Sequence, residues 1–448
     1  MFKRLNIAFV ILSALISGPA HAGAPGDRPL DSPLPHYGLA DLYQIALEYA
    51  EKIKISQEDL YIAAQNRAKA FAELIPQLAT FGTYTQFSEK KETIGGAVVQ
   101  PNNAATWGVR LGQAYNLRGR EFIALRAAED TITKSKYDLN AVKEGYLFLV
   151  TAAFYDVLRT QKALEIARAN VTRLEKHKAA VDTRLQLEEV TKTALFRVEA
   201  ELSGARTEMI TATNRLKLQQ AVLKRLVGVT HDFDIEAPPH QPAGSLDLDL
   251  QSLKKEALDA RAEIRALNIQ DQIAADQVKI SRSFYWPSIR VEGLYVDQHE
   301  DPEVALVSND SLSVELSVEY PIFDAGRRKA QVREALAAKR QAALALADLS
   351  KDIAVEVEQA YLVVINQQSI LASLDDQLTF ARENYEAVSK QFKFGLSDSV
   401  DVMDANTLLV TAEIDLTDAR LSLQLARIQL KRAQGTFLNQ VMTMIQPQ

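Results

Sequence analysis

The chain has 448 residues, with 51 basic against 58 acidic side chains, a net charge of −7 and no cysteine. Disulfides, thiolate metal sites and cysteine nucleophiles are excluded together, and no basic patch with interleaved aromatics suggests a nucleic-acid partner. Beyond the N-terminal segment no run approaches about 18 consecutive apolar residues, so a membrane could be entered only through a closed barrel of strands.

Residues 1–22 read as a secretory signal peptide. Lys3 and Arg4 precede an apolar run from Leu5 through Ile16, and Ala20-His21-Ala22 puts small residues at the two positions a signal peptidase reads. Cleavage after Ala22 would start the mature chain at Gly23, with no cysteine there to carry a lipid. Two structural repeats are expected to follow, over 23–240 and 241–448, joined by the proline-rich Ala237-Pro238-Pro239-His240-Gln241-Pro242. An offset of 211 superposes Ala46, Ile53, Pro76, Gly82 and Tyr84 on Ala257, Ile264, Pro287, Gly293 and Tyr295. An offset of 207 then superposes Gly119-Arg120 on Gly326-Arg327 and Gly228 on Gly435 without a gap.

Each repeat changes from a short strand pair to a long helical hairpin. In the first, Trp107, Val109 and Leu111 alternate with Arg110 and Gly112, and the strand before them is less regular. A heptad run follows through Tyr146, Val150, Ala153, Val157, Leu164, Ala167, Val171, Leu174, Val181 and Leu185. In the second, Ile289, Val291, Gly293 and Tyr295 alternate with polar residues. After a loop, Leu312, Val314, Leu316, Val318 and Tyr320 alternate with Ser313, Glu315, Ser317 and Glu319. That strand has the ~9–11 residues of a tilted membrane strand, and Val314 and Leu316 are expected to face lipid. Tyr285, Trp286, Tyr320 and Phe323 would form its interfacial belt. The next helix should run from about Arg327 to Phe394, ~100 Å at 1.5 Å per residue, and stop at Gly395. A second run then steps through Val402, Ala405, Leu409, Ala412, Leu416, Ala419, Leu423, Ala426 and Leu430. Four strands cannot close a barrel, for which about eight are the minimum, so copies must assemble. Three copies would give twelve strands, and two would also close.

The duplicated blocks resemble the outer-membrane efflux protein (TolC) family over nearly the whole mature chain. Glu319-Tyr320-Pro321-Ile322-Phe323-Asp324-Ala325-Gly326-Arg327 resembles that family's strand-to-helix junction, whereas Gln113-Ala114-Tyr115-Asn116-Leu117-Arg118-Gly119-Arg120 keeps Gly-Arg and loses the proline. Phe394-Gly395-Leu396-Ser397, followed by Val400-Asp401-Val402-Met403-Asp404-Ala405, resembles the turn at the periplasmic tip. The resemblance implies a mainly α protein with a membrane β-barrel: a homotrimer whose β-barrel continues as a barrel of coiled-coil helices into the periplasm. It implies an outer-membrane exit duct for small molecules or proteins. Its partners would be a periplasmic adaptor and an inner-membrane transporter of the ABC or RND type. Asp401 and Asp404 would ring the channel constriction, and Phe394, Gly395, Leu396 and Ser397 would dock the adaptor. The family's closing tyrosine and arginine are replaced here by Phe392 and Ser397, and the first repeat has Leu187-Glu188-Glu189-Val190, without glycine, at the equivalent turn.

The rival reading is a periplasmic coiled-coil adaptor or structural rod without a pore, which would need one long hairpin and no amphipathic strands. No catalytic constellation, cofactor motif or metal-binding spacing is recognisable. The six histidines include no pair four apart.

Overall fold

The computed structural model describes residues 35–238, 249–304 and 309–445. The signal peptide expected over 1–22 and the repeat junction expected at 240/241 lie outside them. The elements run β1 (His36–Tyr37), α1 (Leu39–Tyr49), α2 (Glu51–Ala72), β2 (Gln77–Gln86), β3 (Lys91–Glu92), β4 (Val98–Gln100), β5 (Asn103–Asn116), α3 (Arg120–Gln186), α4 (Lys192–Val227) and β6 (Asp234–Ile235). They continue with α5 (Leu250–Ala260), α6 (Ala262–Ser283), β7 (Ser288–Asp301), β8 (Asp310–Glu319), α7 (Arg327–Lys393), α8 (Ser399–Ala433) and α9 (Phe437–Ile445).

The two blocks have matching parts. Helices α1 and α5 have 11 residues each, α2 and α6 have 22, and α3 and α7 have 67. A 67-residue helix is ~100 Å long, which makes each hairpin a rod and not part of a compact core. All nine residues of the heptad run in α8 are buried. Along α7 the apolar residues at steps of three and four are only partly covered. Ile353, Val357, Ala360, Val364 and Ala381 are buried, while Leu371, Leu374, Leu378, Tyr385 and Val388 remain partly open. Helix α3 packs against α2, α4, α6 and α8, whereas α7 leans mainly on α6 and α8. One flank of α7 therefore has no neighbouring element among the described residues.

The largest core lies part-way along the rods, where α1, α4, α9 and the β1–β6 pair surround α3. Leu42, Tyr43, Ile53, Leu147, Phe154, Leu223 and Val227 are its most enclosed members. The Tyr43 hydroxyl stays bonded inside it, 2.6 Å from Thr151 Oγ1. In the second block the bend between α5 and α6 is held by buried Arg261, which donates to Glu356 (2.6 Å) and Glu263 (3.0 Å). Nearby Glu144 is buried with Oε1 unbonded, and burial, reinforced by Glu263, raises its pKa to about 7 against the pull of Arg261 and Arg432.

The four main strands form one antiparallel sheet in the order β2-β5-β7-β8. Directly opposed residues share a face, so the register assigns both faces. One carries Leu78, Val109, Leu111, Ile289, Val291, Tyr295, Leu312, Val314, Leu316 and Val318. The other carries Thr83, Thr85, Arg110, Arg290, Glu292, Ser313, Glu315 and Ser317, with Arg110 paired to Glu292 at 3.2 Å. Among the described residues no helix covers the apolar face: Leu312, Val314, Leu316 and Val318 are 63–78% exposed. Trp107 and Tyr295 meet edge to face at 5.6 Å on it, with the indole Nε1 donating to Asp297 Oδ2 at 3.1 Å. Tyr285, Trp286, Tyr320 and Phe323 lie exposed at the end of the sheet nearest the helices.

Two left-handed glycines turn strand into helix, Gly119 (φ 68°) before α3 and Gly326 (φ 89°) before α7. Behind Gly326, Asp324 accepts from Gly326 N, Arg328 N and Arg328 Nε, and the buried Arg328 guanidinium lies over the Tyr285 ring at 4.9 Å. The first repeat fills the position of Arg328 with Glu121, which accepts from Asn116 N, and Asn116 Nδ2 donates to Ser283 O of α6. The same turn is thus fixed by different side chains.

Candidate functional site: the helical tip

The end of the rods farthest from the sheet holds both helical turns. After α7 the chain closes with Gly395 at φ 79°, Leu396 N donating to Gln391 O (2.9 Å) and Gly395 N to Phe392 O (3.0 Å). This pair of bonds satisfies carbonyls that a helix end leaves open. After α3 the same two bonds recur, Glu189 N to Arg184 O and Glu188 N to Leu185 O, with Glu188 at φ 58°. The first-repeat turn therefore has the glycine-type geometry without a glycine, at a backbone cost of about 1–2 kcal/mol.

Helix α8 starts with reciprocal caps. The Asp398 carboxylate accepts from Val400 N and Asp401 N, and Asp401 Oδ2 accepts from Asp398 N at 3.1 Å. Asp401 thus holds the helix start while remaining exposed. Asp404 is exposed one turn further on, on the same side, with Val402 and Met403 buried behind the pair. Phe394 and Leu396 project from the turn at 81% and 77% exposure, and Ser397 donates to Val388 O at 3.2 Å. All six expected site residues stand within one compact end of the molecule.

The contacts that tie the two tips together were not singled out by the sequence reading. Phe392 is not available to a partner: it is 2% exposed among Val181, Val198, Val402 and Met403. Arg184 of the first hairpin lies over its ring at 4.8 Å, donates to its carbonyl oxygen at 2.7 Å and pairs with Glu189 at 2.8 Å. His177 meets the same ring at 5.0 Å and places Nε2 2.9 Å from Ser399 Oγ, both residues buried. Farther along the rods Arg173 bonds Asn406 and Glu413, and Asn406 bonds Asn170. The one available signal was His177 within the apolar heptad stretch between Leu174 and Val181. It carries no metal spacing, so nothing in the sequence distinguished it from an interhelical packing residue.

Burial holds the His177 imidazole below its ordinary value of 6.5, against the opposing effect of Ser399. Below that ordinary value the unfolded segment binds a proton that the folded tip resists, so tip stability is lost as pH falls through 6.5. Amide exchange of the full-length protein, corrected for intrinsic rates, is expected to show weaker protection around Phe394–Ser399 at pH 5.5 than at pH 7.5. His177→Gln should flatten that dependence. An equal pH dependence in the variant would assign it to other groups.

Residues 253–436 match the model of the family described as Outer membrane efflux protein. The outer membrane protein TolC of Vibrio cholerae serotype O1 is 22% identical over 343 residues, 74% of this chain and 77% of that protein. The outer membrane efflux protein BepC of Brucella suis is 23% identical, over 74% of this chain and 72% of its own. The solved outer membrane protein VceC of Vibrio cholerae superposes with a TM-score of 0.76 at 18% identity, covering 89% of this chain and 96% of that one. The family match thus lies in the second repeat, and the relatives align across most of both repeats, so the chain is similar to outer membrane efflux proteins along most of its length.

Proposed function

We propose that this protein is an outer-membrane exit duct that forms a trimer and passes small molecules or proteins from a periplasmic tunnel to the cell exterior. The observation that carries this reading is the join of two unlike parts in one chain. An open four-stranded sheet with a continuous uncovered apolar face leads directly into two hairpins with 67-residue first arms. The apolar face suits lipid and the opposite face suits water, as in a membrane barrel. A rod or adaptor without a pore has no use for such a sheet.

In this reading the helical tip faces the periplasm, where it meets an adaptor and an inner-membrane transporter of the ABC or RND type. Phe394, Gly395, Leu396 and Ser397 are the docking surface, because the two large apolar side chains stand free beside a rigid turn. Asp401 and Asp404 form the constriction. Threefold assembly would gather six exposed carboxylates at the tunnel mouth, where they attract cations and oppose anions.

Two outcomes follow for variants of the intact protein. Leu316→Arg should impair membrane insertion by ~2–4 kcal/mol if it faces the bilayer midplane, whereas Glu315→Arg should insert normally. Equal defects, scored by heat-stable insertion into outer membranes, would show that the faces are misassigned. Asp401→Asn combined with Asp404→Asn should weaken cation selectivity and cation block in single-channel recordings. That difference should shrink at 1 M salt, where the Debye length falls to ~3 Å. Wild-type selectivity and block at low salt would remove these aspartates from the constriction.

A further inference from the structure

The bend between α5 and α6 carries a cluster of buried charge that the matching bend of the first repeat lacks. Every guanidinium nitrogen of Arg261 is engaged there. Nε and Nη2 donate to Glu263 at 3.3 and 3.0 Å, and Nη1 donates to Glu356 of α7 at 2.6 Å and to Ala433 O of α8 at 3.5 Å. Under the offsets that relate the repeats, Arg261, Glu263 and Glu356 correspond to Ala50, Lys52 and Leu149. The bend between α1 and α2 forms around buried Ala50 without this cluster. The fold therefore does not need the cluster in order to bend.

Glu144 of α3 meets the cluster from the other repeat. It is 6% exposed, and its Oε1 is buried without a hydrogen-bond partner. The charged groups that face it are Arg261 at the bend, Glu263 of α6, Glu356 of α7 and Arg432 of α8. Arg261 is committed to the other two carboxylates, and Arg432 lies over the Phe148 ring at 4.9 Å. Three carboxylates thus share two guanidinium groups, and Glu144 is the one left over. A buried carboxylate in that position avoids the cost of its charge by keeping a proton. Burial, reinforced by Glu263, lifts its pKa from 4.5 to about 7 against the pull of Arg261 and Arg432. The counterpart of Glu144 in α7 is Lys351, so the arrangement occurs once in the chain.

We infer that Glu144 is a proton-operated latch between the two repeats: protonated, it packs α3 against the α5–α6 bend, and on losing the proton it loosens that contact. The sign follows from linkage. The packed carboxyl holds a proton that the opened one releases, so the contact is firmest below pH 4.5 and weakens as pH rises through about 7. The tip clasp has the opposite sign, since His177 weakens it as pH falls, and it lies ~50 Å further along α3 at 1.5 Å per residue. Burial works against the Glu263 charge, but its bonds to Arg261 hold it below its ordinary 4.5, so its own contribution is lost only at lower pH. The latch goes beyond the exit-duct reading and does not depend on it, because all of its groups belong to one chain.

Amide exchange of the full-length, detergent-extracted protein, corrected for intrinsic rates, reads the latch at the α5–α6 bend, residues 259–265. One proton released per opening changes the opening equilibrium by up to about tenfold per pH unit. Opening at the bend should therefore rise roughly tenfold from pH 5.5 to pH 7.0 in the natural sequence. Glu144→Gln keeps the shape without the charge and should retain the protection of pH 5.5 throughout. Glu263→Gln removes one facing carboxylate and frees part of the Arg261 fork for Glu144, which should move the dependence to lower pH. A flat profile in the natural sequence would overturn the latch by itself, even if the variants failed to fold. An unchanged pH dependence in Glu144→Gln would overturn it by assigning the effect to other groups. An unshifted profile in Glu263→Gln would overturn the surplus-carboxylate origin on which it stands.

Discussion

A backbone N–H or C=O group that meets hydrocarbon without a partner costs several kcal/mol, and this molecule presents two whole strand edges of such groups. The rest of the architecture is arranged around that constraint. Four strands are too few to close on themselves, so the sheet is complete only in company. Its apolar face is uncovered for the same reason: among the described residues no helix lies over it, and the surface that would cover it is lipid. Among the described residues no helix is long and apolar enough to cross a membrane.

The long helices meet a related constraint in water. A rod of ~100 Å has little core of its own, and its apolar stripe must be shared with neighbours along its whole length. Helix α3 finds those neighbours inside the chain. Helix α7 does so only in part, and its open positions, together with exposed Val355 and Leu362, mark the flank where another copy would complete the coiled coil. Sheet and rods thus make the same demand for assembly at opposite ends of the molecule. The tip clasp of His177, Arg184, Phe392 and Ser399 keeps the two hairpins of one chain together where no strand register helps them.

Much of this was legible in the sequence because duplication leaves a spacing signature that survives divergence. Period-2 and period-3.5 runs separated the strands of the sheet from the long helices of the hairpins, whereas the paired helices α1–α2 and α5–α6 carried no period that placed them. Gly395 marked its turn because a left-handed residue there favours glycine. At the matching turn only the repeat marked the place, because the surrounding bonds hold the non-glycine Glu188 in the same conformation. The clasp was hidden for another reason. Arg184 acts through a stacked ring and a backbone oxygen 208 residues away, and no local pattern encodes such a pairing. The capping role of Asp401 was masked by its more conspicuous partnership with Asp404. The sequence signal for a cap, an aspartate three residues earlier at Asp398, was present.

The central claim is that the chain is one third of a closed wall. Native mass measurement of the detergent-extracted, full-length complex tests it most directly, combined with the conditions needed for extraction. The account predicts a complex of three chains that high salt leaves in the membrane and only detergent releases. A species of one or two chains, or a protein that salt washes free, would contradict it.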